Sequence, residues 1–447
     1  MNRGALAGPD GTSMKTPRRH SPPPVLFALL LLALACNGRT PTGSDATRNE
    51  ASDHDPRRID SAEVERLRAL GYVNVAPALP PDAKVGVVTY DRDRASPGLN
   101  LITNATFCSA QLIDMDGRVR HTWSLAPCFR WGNTVLTRSG DLLVVQRLPH
   151  ENTPQSARET RFLTRLDWDG NVVWQKPLTV HHDVEQTPDG KILTLTLTLR
   201  AIPEVDPDIP VRDNSIVLLD ADGEILDEVP LWDLLHSAPE VFTMQDGKHR
   251  LFEGGREIDA IHANSIEWMR YPGLIGKDPI YGPESVLFCM RNQDTVAIVD
   301  WKTKQLLWAW GQGEISGPHD ATLLPNGHIL VFDNGLGRGW SRVIEVDPVG
   351  REIVWEYRAP DPESFYSEAR GANQRLRNGN TLITESDNGR AFEVTPGGDI
   401  VWKFVNPNMT DKREPSVLVR VRRLEGIDYA ELAERIASGR GLPFLVD

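Results

Sequence analysis

The sequence predicts an all-β fold: a six-bladed β-propeller of four-stranded antiparallel blades, with a short helical segment before it and a C-terminal helix after it. Three observations carry this. A strand, an Asp-Gly-type turn and a second strand often ending in Trp recur six times, and Asp-Gly between apolar alternations is a strong hairpin signal. A second kind of hairpin alternates with the first, so that each pair supplies four strands. The repeat of about 50 residues suits a propeller blade.

Taken in order, residues 1–35 read as an export signal. Arg18, Arg19 and His20 form a basic patch, and residues 25–35 are an apolar stretch too short to span a bilayer. Translation from Met14 would give a more ordinary signal of this kind. The segment ends Ala33-Leu34-Ala35-Cys36, which leaves two outcomes open. Either Cys36 becomes the lipidated first residue of a lipoprotein, or cleavage leaves it an ordinary thiol. Both put the chain on the exported side, anchored to a membrane or soluble in the periplasm. Residues 36–82 form a tether, with a short helix over 62–70 capped by Ser61.

The propeller occupies 83–424. Its first hairpin type is seen at 111–117 leading to Trp123, 164–170 leading to Trp174, 217–223, 296–300 leading to Trp308, 343–350 leading to Trp355, and 392–398 leading to Trp402. The second type is seen at 135–143, 186–193, 323–330 and 375–382. The long third interval holds insertions around 242–256 and 271–284. The terminal strand 417–421 completes the first blade, which has too few strands upstream. A helix and tail fill 425–447. The recurring Trp reads as packing between blades.

The net charge of −13 excludes an ordinary nucleic-acid binder, which needs concentrated Lys and Arg. Past Cys36 there are three cysteines. Cys108 and Cys128 flank one hairpin and are candidates for a disulfide in an oxidising compartment, whereas Cys289 lies in an apolar run and reads as a buried thiol.

The fold does not require the polar residues that open the innermost strands: His181-His182-Asp183, His262-Ala263-Asn264, His319-Asp320 and Gly371-Ala372-Asn373. Corresponding positions on separate blades converge on one mouth, while sequence neighbours alternate faces. Three readings are open: hydrogen bonding to neighbouring loops, a convergent catalytic site, or a metal site. No carboxylate or thiolate set accompanies the histidines, so neither metal nor cofactor is expected. The Gly-rich run 335–339 follows a strand and reads as a turn rather than a phosphate cradle.

The blocks Gly317-Pro318-His319-Asp320, Phe332-Asp333-Asn334-Gly335, Arg338-Gly339, Ser341-Arg342 and Trp355-Glu356-Tyr357 resemble the bacterial arylsulfate sulfotransferases. Ile261-His262-Ala263-Asn264-Ser265-Ile266 followed by Met290-Arg291-Asn292-Gln293 is similar to a second element of that family, and His181-His182-Asp183 to a third. The resemblance spans roughly residues 98–407 and implies a two-step transfer independent of the nucleotide donor PAPS. His319 would take a sulfuryl group from an aryl sulfate and pass it to a phenol. His182 and His262 would assist catalysis, and Arg291 and Asn264 would bind substrate, with Asn334 and Asp333 buttressing the nucleophile. Water in place of phenol would make the reaction a hydrolysis. The sequence departs from the family in lacking its N-terminal β-domain, so dimerisation is not carried over. Asn292 stands where a histidine is expected, and the insertion between Asn264 and Arg291 is placed to reshape the acceptor entrance. The competing reading is a tethered, non-catalytic propeller scaffold or binding lipoprotein.

Overall fold

Turn residues fix where each strand reverses, and the first three repeats do so in the same way. At the outer hairpins an aspartate caps the turn: Asp220 Oδ1 accepts from the backbone N–H of Asp222 and Glu224, at 2.9 Å each. Gly117 and Gly170 complete such turns at φ of 85° and 84°, a region that favours glycine. The computed structural model describes residues 58–59, 76, 78–149, 160–245, 250–252 and 256–442. The expected export signal, Cys36, the helix over 62–70 and the tail past 442 lie outside these residues. All described residues belong to the unit His54–Asp447.

Six antiparallel sheets form the ring. From axis to rim, blade 1 is Leu418–Glu425, Gly98–Asn104, Ser109–Ile113 and Val119–Ser124. Blade 2 is Arg130–Leu136, Leu142–Arg147, Arg161–Leu166 and Val172–Lys176. Blade 3 is Val180–Gln186, Ile192–Arg200, Val211–Leu219 and Ile225–Pro230, extended by Glu257–Asp259 and Arg250–Phe252. Blade 4 is Ala263–Trp268, Ser285–Met290, Thr295–Asp300 and Gln305–Trp310. Blade 5 is His319–Leu323, Ile329–Asp333, Arg342–Asp347 and Glu352–Tyr357. Blade 6 is Ala372–Arg375, Thr381–Glu385, Arg390–Val394 and Ile400–Val405, with Gly86–Tyr90 as a fifth, outermost strand. The last strand of the sequence pairs with Gly98–Asn104, so that C-terminal residues close the ring as the innermost strand of blade 1.

The core is distributed rather than central. Six apolar clusters lie one between each pair of neighbouring blades. Five rim tryptophans seal these joints. Trp123, Trp174, Trp308, Trp355 and Trp402 each donate their indole N–H to a carbonyl in the next blade's turn, at 3.0–3.1 Å. The innermost strand of each blade is a sheet edge whose N–H groups need partners. Side chains of the preceding blade supply them, as when Glu185 accepts from Trp268 N and Glu267 from Leu323 N, at 2.9 and 2.7 Å.

Cys108 and Cys128 form a disulfide, their Cα atoms 6.3 Å apart, and Cys289 is a buried free thiol. The helix Tyr429–Ala437, N-capped by Asp428, packs buried Leu432 onto the blade 1–2 joint. The segment 271–284 buries Leu274, Ile280 and Tyr281 at the blade 4–5 joint, and Tyr281 donates to the carbonyl of Gly327 at 2.8 Å. Gly327 lies in the turn at the end of blade 5 opposite His319. This corrects the expectation for that insertion, which covers the turn side and not an entrance above the histidines.

Candidate active site

A regular strand sends neighbouring side chains to opposite faces. The innermost strands of blades 3, 4 and 5 slip instead at their axial mouths, between His181 and Val184, Ala263 and Ser265, and His319 and Thr322. Within or beside these bulges His182, His262 and Asp320 take φ of 57°, 54° and 48°. That left-handed conformation costs a non-glycine residue about 1–2 kcal/mol, and such bulges re-aim side chains beside active sites. The expected alternation of faces is therefore corrected here: His181 and His182 both line one cavity, as do His319 and Asp320.

The cavity has a volume of about 400 Å³. It brings together His182, His262, His319, Asn264 and Arg291, which come from three blades. The rings of His182 and His262 lie 4.7 Å apart, centroid to centroid.

The partners of His319 fix its proton. Asn334 Nδ2 donates to the carbonyls of Ser367 and Arg370 at 2.7 and 2.9 Å, so its Oδ1 must face the imidazole. His319 Nδ1 then carries the hydrogen and donates to Asn334 Oδ1 at 2.8 Å and Gly317 O at 3.1 Å. Nε2 is left with its lone pair, buried, and without a hydrogen-bond partner among the described residues. Burial first, and the Arg291 charge next, pull the pKa of this ring down to about 3. At neutral pH His319 is an uncharged imidazole with one free nitrogen on the cavity.

The other rings divide by partner. His262 Nδ1 meets Asp259 Oδ2 at 2.5 Å. Burial raises the pKa of Asp259, but the charges of His262, Arg212 and His181 outweigh it and hold the carboxyl below its usual value. His181 Nε2 donates to Thr196 O at 3.1 Å, so its Nδ1 accepts the hydrogen on His182 Nδ1 at 2.7 Å. Burial, then neighbouring positive charge, lowers His181 to about 3 and His182 well below the usual histidine value. His262 alone of these three therefore combines a carboxylate behind it with a ring on the cavity.

Not every expected residue touches the cavity. Asn334 and Asp333 stand behind it, against the ring of His319 and the loop before it, and so are not in place to contact substrate. Asp333 accepts from Ser316 N at 2.9 Å and pairs with Arg342 at 2.8 Å and Arg338 at 2.9 Å, which anchors the loop leading to His319. Asn264 lines the cavity but donates to Pro318 O at 2.8 Å, fixing the residue before His319. Sequence reasoning missed six further arginines on the cavity wall: Arg130, Arg147, Arg161, Arg212, Arg370 and Arg420. Three of them, with Arg291, could have been found from one signal. Arg147 ends the second strand of blade 2 and Arg291 directly follows that of blade 4, while Arg161 and Arg212 open third strands, all at the axial mouth. Among the described residues no three His, Cys, Asp or Glu side chains are grouped to hold a metal ion.

A propeller whose axial pocket joins an uncharged imidazole to guanidinium groups and an Asp-backed histidine has the chemistry to hold an anion. Residues 160–407 match the family described as arylsulfotransferase (ASST), and the chain belongs to that family. Membership supports sulfotransferase activity in general, on small-molecule substrates. No curated protein sequence matches the chain at a significant level. Similar solved structures include a protein of unknown function from Bacteroides caccae, 14% identical over 73% of this chain and 98% of that one, with a TM-score of 0.46. A streptogramin B lyase is 15% identical over 76% and 88%, with a TM-score of 0.42. Virginiamycin B lyase from Staphylococcus aureus is 13% identical over 72% and 89%, with a TM-score of 0.40. At these identities the activities of those proteins do not transfer to this one.

Proposed function

We propose that the protein moves a sulfuryl group from a phenolic sulfate ester to a phenolic acceptor through a sulfohistidine at His319, without a nucleotide donor. The observation that carries this reading is Nε2 of His319, buried, unprotonated and unpartnered on a cavity it shares with Arg291. A neutral imidazole needs no base before it attacks. Its lone pair forms the N–S bond while the S–O bond to the aryl oxygen breaks, and the departing phenoxide takes a proton from His262. Asp259 stabilises the protonated form of that ring, as a carboxylate behind a catalytic histidine does. Arg291 presents fixed N–H groups to the sulfuryl oxygens, where charge spreads as it does in phosphoryl transfer. In the second half the acceptor phenol returns its proton to His262 and its oxygen displaces Nε2 from sulfur. The Cys108–Cys128 disulfide supports reading the enzyme as exported, where Cys36 would carry the lipid.

The test is transfer from 4-nitrophenyl sulfate to phenol with no nucleotide present. His319→Ala should abolish it while the melting temperature holds. Incubation with donor alone, handled at neutral pH, should leave a sulfuryl mass on the peptide containing His319. Unchanged turnover in the variant, or a label on another residue, removes His319 from the mechanism.

A further inference from the structure

The cavity histidines come from separate loops, and one short turn ties two of those loops together. Arg291–Gln293 is a single tight helical turn, buried throughout. It donates a hydrogen bond to each of the four carbonyls from Asp259 to His262. Asn292 Nδ2 donates to Asp259 O at 2.8 Å, and Gln293 Nε2 to Ala260 O at 2.7 Å. The backbone N–H of Asn292 donates to Ile261 O and that of Arg291 to His262 O, at 3.1 Å each. On the other flank Asp294 Oδ1 accepts from Gly317 N at 2.7 Å, two residues before His319.

Little else orients the Asp259–His262 pair. Asp259 Oδ1 is buried with no hydrogen-bond partner among the described residues. Arg212 Nη1 stands 3.8 Å from Oδ2, beyond hydrogen-bond distance. His262 holds a φ of 54°, which persists only where surrounding structure enforces it. The 2.5 Å contact of the pair therefore depends on the path of the backbone between its members, and that path is what the turn holds. Asn292 has a second tie. With Nδ2 committed to the Asp259 carbonyl, it turns Oδ1 to Arg291, whose Nη1 donates to it at 3.3 Å. We propose that Asn292, together with Gln293, is a positioning residue for the Asp259–His262 pair and fits the protein to sulfate esters of weakly acidic phenols. Such a phenoxide is too basic to leave unaided, so a proton donor must stand in line as the S–O bond breaks, whereas a nitrophenoxide leaves without one. The role in transfer rests on the sulfotransferase reading; the hold on the pair does not.

Two measurements separate the claims. Proton NMR of the full chain should show the His262 Nδ1–H downfield of the other imidazole N–H signals, as a short bond to a carboxylate gives, assigned by its loss in His262→Gln. Asn292→Ala should abolish that signal or move it upfield. With 4-methylphenol as common acceptor, the variant's kcat/KM should fall at least about tenfold further for phenyl sulfate than for 4-nitrophenyl sulfate, since a well-placed acid contributes on the order of a hundredfold or more. Asn292→Leu, which keeps the volume and removes the amide, repeats both should the first variant not fold. A signal absent from the wild type, or unchanged in the variants, overturns the hold on the pair. Equal falls for the two donors overturn the positioning role and leave the transferase reading standing. A signal lost from a chain whose wild type transfers from neither donor upholds the hold on the pair and sinks the transferase reading.

Discussion

A histidine buried uncharged is a liability in acid, and three of them surround this cavity. His181 and His319 are pulled down to about 3 and His182 well below the usual 6.5, each chiefly by burial. In the folded chain His181 and His319 stay neutral until pH is near 3 and His182 until well below 6.5, whereas in the unfolded chain all three protonate near 6.5. Between those limits the unfolded state binds more protons, so the stability they confer is complete above about 6.5 and is lost as pH falls. Each ring contributes a slope on the order of 1 kcal/mol per pH unit. The melting temperature should therefore drop between pH 6.5 and 4.5, above the range where the Asp259 carboxyl titrates, and His319→Gln should show a shallower drop. Identical slopes would contradict the buried neutral state. The histidines were legible in the sequence because they open the same strand in three repeats. Arg130, Arg370 and Arg420 were not, because a single Arg in or beside a strand reads as surface. Only ring closure brings these three to the same cavity. Asp259 escaped notice because it sits in an excursion with no counterpart in the other blades.

Each blade holds its neighbour through an apolar joint and, in five cases, one indole hydrogen bond, and burial should decide what that bond contributes. Trp402 is fully buried at the joint of blades 6 and 1, its N–H on the Met115 carbonyl at 3.1 Å. Trp355 makes the same bond to Pro396 O at 3.1 Å, but in contact with solvent. Replacing either by Phe keeps a ring and removes the donor. At Trp402 a buried carbonyl loses its partner, which costs about 1–3 kcal/mol; at Trp355 water substitutes, and the cost stays under about 1 kcal/mol. Urea unfolding of the two variants side by side measures the difference, and equal losses would refute the argument from burial. This level of structure was the most legible. The Asp-Gly turns and the recurring Trp gave strand order, blade number and joints before any coordinates. Two features stayed hidden for physical reasons. The fifth strand of blade 6, Gly86–Tyr90, finds its partner Ile400–Val405 far along the chain, and alternation within a strand says nothing of its partner. The axial bulges depend on backbone angles that His and Asp adopt only where surrounding structure holds them.

A ring of six sheets leaves an axis to be closed, and here it is closed by polar side chains that also build the cavity floor. Asn133 of blade 2 donates to Asp183 of blade 3 at 2.6 Å, and Asp183 accepts from Ile266 N of blade 4 at 3.1 Å. Ala321 N of blade 5 donates to Ser265 Oγ of blade 4 at 3.1 Å, and Asn373 N of blade 6 to Asp320 of blade 5 at 2.7 Å. Arg420 comes from blade 1, at another bulge between Leu418 and Val421. It crosses to Asp183 at 3.3 Å and to Asp320, so the last strand of the sequence ties blade 1 to blades 3 and 5. Because Asp320 follows His319 in the same bulge, ring closure and the position of His319 are mechanically one feature. Arg420→Gln should therefore act on both. It leaves two buried carboxylates without their cation, at a cost of about 3–5 kcal/mol near neutral pH, and it should also slow transfer from 4-nitrophenyl sulfate. The stability loss should shrink toward pH 5, as the stranded Asp320 carboxyl, already favoured by burial to hold a proton, takes one up. Adding Asp320→Asn should recover part of the loss, since the two sites share one interaction. Additive losses in that double variant, or a loss that does not depend on pH, would show that Arg420 is a local contact and not the tie that closes the ring.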